Sequence, residues 1–183
     1  MTDASDAQPI GNANPRPCAE CGLCCKLPPI RELDKPEGQW CVHFAKGSGC
    51  QIRPTRPGSC STFQCLWSVT AAMDESWRPD RCKFFVRQLD TGWLSIEVDP
   101  GTPDAWKREP FYSQIKAWSR RPARPYEVVM VRTNGRLAIV FPDGEIDIGP
   151  AQPGMRIDSG YEMREGRMQS FARFADPSSP IPV

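Results

Sequence analysis

The chain is 183 residues long, with 25% charged and 39% hydrophobic residues and a net charge of +1. That balance suits a globular protein, lacks the basic stripe of a nucleic-acid binder, and contains no apolar run long enough to span a membrane. Twenty prolines argue against long uninterrupted helices.

Residues 1–16 are polar and rich in Asn, Ala, Pro and Gly, the composition of a disordered tail. The stretch has neither secretory nor transit-peptide character, so a cytoplasmic protein with reduced thiols is expected. Residues 17–67 hold eight of the nine cysteines and little periodic apolar pattern. Such a segment buries too little apolar area to hold itself, and metal–thiolate bonds can supply the missing folding energy.

Residues 68–183 have a different texture. Strands are expected at 83–89 and 93–99, joined by a hairpin loop at Asp90-Thr91-Gly92. A helix is expected over 102–121, capped by Thr102 and kinked at Pro110, with Phe111, Ile115 and Trp118 on one face. Three further strands follow, separated by turns at Asn134-Gly135 and Asp143-Gly144. The remaining tail is expected to be loose. The fold class is therefore α+β: an irregular cysteine-rich module at 17–67, packed on a small antiparallel sheet with one or two short helices at 68–183.

The cysteines are Cys18, Cys21, Cys24, Cys25, Cys41, Cys50, Cys60 and Cys65, with Cys82 apart. A C-x2-C step puts two sulfurs on one side of a tight turn, where both can meet one tetrahedral ion. Gly22 after Cys21 favours such a turn because it tolerates positive φ. Scattered buried thiols would sit among apolar neighbours, whereas these lie among Gly, Pro, Ser and charged residues. A disulfide framework fits a secreted chain better than this one. The set is therefore read as metal ligands. In an extended backbone Cys24 and Cys25 point to opposite sides, which makes them a seam between two four-thiolate centres.

Two zinc ions suit that division. Iron or an iron–sulfur cluster is the alternative, although Pro28 stands where a ferredoxin run has its fourth cysteine. A carrier of a soft ion such as Cu(I) is a third option. Lys26, Arg31, Lys46, Arg53 and Arg56 lie nearby to offset thiolate charge. His43, two residues after Cys41, is either a ligand or a hydrogen-bond donor to a thiolate, and eight thiols suffice without it.

"CAECGLCC", "WCVHF", "GCQIRPTRPGSC" and "STFQCLW" together resemble the CxxCxxCC proteins of the YkgJ type, described as zinc- or iron-chelating domains. All eight clustered cysteines fall on that pattern, as do Gly22, Ile52, Arg56, Pro57 and Trp67; Arg53 replaces its usual aromatic. The resemblance covers about a third of the chain and implies metal chelation. Some relatives are fused to a flagellin lysine methylase, but no cofactor-binding glycine motif supports methyl transfer here.

Outside the cysteines, Trp67 reads as a core anchor, and Arg56-Pro57 as a rigid turn with Arg56 on backbone carbonyls, in preference to Arg56 lying over the thiolate cluster or recognising an anion. Trp77, Trp93, Trp106 and Trp118 read as core, residues 120–125 as a solvated basic loop, and Cys82 as a half-buried thiol. Asp74-Glu75 has no catalytic support, and no catalytic residue is assigned. A protein partner is compatible with the β-rich part. A nucleic acid or membrane partner is not expected.

Overall fold

The structure is a computed structural model that describes residues 16, 20–120, 128–151, 154 and 156–175. Residues 1–15 of the tail expected at 1–16, Cys18, residues 121–125 of the basic loop and the last eight residues lie outside the described residues. The chain divides into two compact units, Met1–Arg87 and Gln88–Val183. The division falls after Arg87 instead of after Trp67, because residues 68–87 contribute buried side chains to the first unit's core.

The first unit has little regular structure. Its strands are β1 (Phe44–Ala45) and β2 (Gly49–Cys50), antiparallel with Phe44 opposite Cys50. Three one-turn helices follow: α1 (Gly58–Ser61), α2 (Leu66–Val69) and α3 (Pro79–Cys82). The side chain of Asp74 caps a 3-10 turn before α3 by accepting from the Ser76 amide at 2.8 Å. Leu23, Leu27, Ile30, Leu66, Trp67, Trp77, Phe84 and Phe85 are buried. Trp77 meets Phe84 edge-on at 5.8 Å and Phe63 meets Phe85 edge-on at 5.0 Å. Trp67 is 5% exposed, with the guanidinium of Arg16 4.9 Å from its ring centre. Its expected role as a core anchor therefore holds within this unit.

Strand β3 (Phe84–Gln88) ends at the boundary, and the second unit's sheet follows the order β4-β5-β6-β7. These strands are β4 (Leu94–Val98), β5 (Val129–Thr133), β6 (Arg136–Phe141) and β7 (Gly144–Pro150). The loop before β4 closes as the sequence suggests, with the Leu89 amide donating to the Trp93 carbonyl at 2.8 Å and Gly92 at φ 85°. Asn134 and Gly135 both have positive φ, 51° and 71°, which the tight β5–β6 turn requires.

The expected α+β class is the one observed. The sheet differs in one pairing: β4 and β5 are parallel. A parallel pair needs a crossover, and helix α4 (Phe111–Trp118) lies in the segment between them. The long helix expected over 102–121 is only this piece plus a 3-10 turn at Ala105–Lys107, because Pro110 cannot continue a helix upstream. Thr102 is not its cap; Asp104 precedes the 3-10 turn. Phe111 and Ile115 are buried as the spacing implies, and Trp118 is half-buried.

The tail expected to be loose instead holds an antiparallel hairpin, β8 (Ile157–Arg164) and β9 (Arg167–Phe174). One face carries Ile157, Ala172 and Phe174, which pack against the cluster of Met130, Leu137, Ile139 and Phe141. Burial of side chains such as Ile139 contributes about 1.5–3 kcal/mol each. Among the described residues no helix is long and apolar enough to cross a membrane.

Candidate metal centre

All the described residues of the centre belong to the first unit. Gly22 has φ 59° and starts a 3-10 turn, Leu23–Cys25, closed by the Cys25 amide on the Gly22 carbonyl at 2.7 Å. A Cβ on Gly22 would meet three ring carbons of Phe44, none farther than 2.8 Å. Glycine is thus needed twice, for backbone conformation and for space.

The β1–β2 ribbon brings Cys41 and Cys50 to the same region. The Cys41 amide donates to the Cys25 carbonyl at 2.9 Å, and the Phe44 amide to the Cys41 carbonyl at 3.0 Å. Cys60 sits in α1, whose first turn is held by Glu32: its carboxylate accepts from the Ser59 amide at 3.2 Å and the Ser59 hydroxyl at 3.0 Å. Cys65 immediately precedes α2, and its carbonyl accepts from the Ser68 amide and hydroxyl at 2.9 and 2.7 Å.

Two cavities of about 70 Å³ each result, several times the roughly 10–15 Å³ that one water needs. Cys24, Cys25, Cys41, Cys50 and Cys60 line the first. Cys21, Cys24, Cys60 and Cys65 line the second. Cys24, Cys60 and Arg56 line both. Seven of the eight cysteines singled out in the sequence are therefore brought to this region, and the eighth, Cys18, lies outside the described residues.

The reading of Cys24 and Cys25 as opposed neighbours needs correction, because their backbone is a 3-10 turn rather than a strand. Successive residues there are about 120° apart, and the Cys24 thiol hydrogen-bonds Cys25. Cys24, not the pair, faces both cavities.

The hydrogen bond from Cys24 lowers the Cys25 thiol to about 7; burial opposes this, and the charges of Lys35 and Arg56 add to it. Cys60 is shifted the other way, first by burial and then by the thiols of Cys25 and Cys41. Arg56 lines both cavities, and its charge acts on the Cys25 thiol.

Lys35 is a functional candidate missing from the sequence reading. It is only 7% exposed, and its ammonium donates to the carbonyls of Lys26, Pro28 and Pro36 at 2.8, 2.6 and 2.9 Å. A backbone bridge between Ile30 and Lys35 folds the loop that buries it. The one available sequence signal was a lysine between the Cys25 and Cys41 segments, indistinguishable there from a surface residue.

His43 is half-buried and is not among the residues lining either cavity. Cys82 lines neither cavity: it is 4% exposed, its thiol donates to the Phe84 carbonyl at 3.0 Å, and burial pushes it up to about 12. It is fully buried rather than half-buried, and inert.

No disulfide joins the described cysteines. Soft thiolate donors match a thiophilic cation such as zinc or iron. Among the described residues, no three His, Cys, Asp or Glu side chains meet in ligand geometry; the sulfurs line the cavity walls instead. Comparison of the chain with protein-family models, with curated proteins and with solved structures finds no match in any of the three.

Proposed function

We propose that the first unit is a thiolate metal-binding module of the CxxCxxCC kind, holding zinc, with iron as the alternative, in two neighbouring centres. One observation carries this reading: sulfurs from separated stretches of chain line two cavities that meet at Cys24 and Cys60. Cys25, Cys41 and Cys50 belong to the first centre, Cys21 and Cys65 to the second, and Cys18 is counted as an eighth donor. Bound metal would supply cross-linking that the small apolar core of this unit lacks, on the order of 10 kcal/mol for a structural zinc site.

Four-thiolate centres have no open coordination position, so the role is structural, regulatory or metal-handling rather than hydrolytic. The Cys25 thiol is lowered to about 7, helped by Cys24, Lys35 and Arg56, which eases its deprotonation as a donor.

Anaerobic purification, a visible spectrum and a metal count per chain test this. A colourless protein with close to two zinc ions is expected. Iron with matching sulfide would replace zinc with a cluster. A reduced protein that binds neither metal after reconstitution would overturn the proposal.

A further inference from the structure

Lys35 donates three hydrogen bonds to main-chain carbonyls. Only the protonated ammonium has three hydrogens to give, so the side chain is a buried cation. Carbonyl dipoles solvate that charge without cancelling it, and a buried charge is stable only near an opposite one. Burial pulls the Lys35 ammonium below its usual range, and the charges of Cys41, Cys25 and Cys60, ahead of the Glu37 carboxylate, act against that and favour the charged form. All three line the first cavity.

The same ammonium ties the segment after Cys25 to the segment before Cys41. Its acceptors Lys26, Pro28 and Pro36 flank that loop, and the Gly38 amide closes it on the Leu27 carbonyl at 3.0 Å. A divalent ion leaves a four-thiolate centre with two excess negative charges. The loop therefore holds a fixed positive charge beside sulfurs that become more anionic when a metal binds.

We propose that Lys35 is the built-in counter-charge of the first centre, a positioning residue that favours the metal-loaded thiolates over the empty thiols. This rests on the metal-binding reading above. A loop clasp alone would need only hydrogen-bond donors; a counter-charge needs the cation.

Zinc affinity of the reduced full-length protein, measured by competition with a chromophoric chelator, tests it. Lys35→Gln keeps two N–H donors and removes the charge; Lys35→Arg keeps the charge. Lys35→Gln is expected to fold and to bind the first zinc at least tenfold more weakly, while Lys35→Arg stays within threefold of wild type. Folded Lys35→Gln with affinity within threefold of wild type overturns the proposal. If Lys35→Gln does not fold, Lys35→Arg decides: affinity within threefold of wild type supports a counter-charge, and a greater loss overturns it. Failure of the wild-type protein itself to bind zinc or iron would instead sink the metal-binding reading.

Discussion

The thiol of Cys24 hydrogen-bonds Cys25, its neighbour in the 3-10 turn that begins at Gly22. The two adjacent cysteines are therefore not equivalent. Cys24 faces both cavities, and Cys25 faces only the one it shares with Cys41 and Cys50. On the two-centre reading, Cys24→Ser reduces the occupancy of both metals, whereas Cys25→Ser reduces one. Metal counts on the two purified variants check this, and identical losses would rule out the division.

Gly22 carries a double constraint, and Gly47 supplies its control. Both have positive φ, but a Cβ on Gly47 meets nothing within 4 Å. Gly47→Ala should cost only the left-handed penalty, about 1–2 kcal/mol. Gly22→Ala adds the collision with Phe44, for a total of about 2–5 kcal/mol. Urea midpoints compare them; equal losses would mean that the ring moves aside freely.

Cys82 separates burial from ligation. Its thiol is held between the carbonyls of Trp77 and Phe84 and raised by burial. Iodoacetamide should leave Cys82 unmodified in the native protein and alkylate it after unfolding in urea. Cys82→Ala should keep the wild-type metal count. Peptide mass mapping and a metal assay report the two outcomes, and a lost metal would make Cys82 a ligand.

In the second unit, Glu145 on β7 accepts from Tyr112 and pairs with Lys107 at 2.7 Å. Burial alone would push its carboxyl up, but the hydrogen bonds from Lys107 and Tyr112, with the charges of Lys107 and Lys116, hold it below the usual range. A depressed folded value stabilises the protein above the ordinary glutamate range, about 4.3, and that contribution is lost as pH falls through the folded value. Glu145→Gln should therefore be less stable than wild type at neutral pH, with the gap closing on acidification. Denaturation midpoints between neutral and strongly acidic pH would show it; a constant gap would mean the charge contributes nothing.

What was legible in the sequence was local. The 83–89 and 93–99 strands, the Asn134-Gly135 turn and the positive φ of Gly22 follow from chain chemistry over a few residues, and the structure has them. The β8–β9 hairpin was not legible, because charged and small residues such as Asp158, Gly160 and Arg173 dilute its alternation. Only the neighbouring apolar cluster shows which face is buried. The parallel β4–β5 pairing is likewise a tertiary choice, since strands of similar composition pair either way.

By itself, the sequence determined that sulfur dominates the first part of the chain, and that Gly22 takes positive φ beside Cys21. Tertiary structure alone decided how those sulfurs are shared. Cys24 and Cys60 line both cavities, Cys82 is set aside, and Lys35 turns inward from a segment that reads as surface. The physical reason is range. Turn preference acts between neighbours in the chain, whereas burial of a charge and convergence of thiols depend on segments distant in sequence that only the fold brings together.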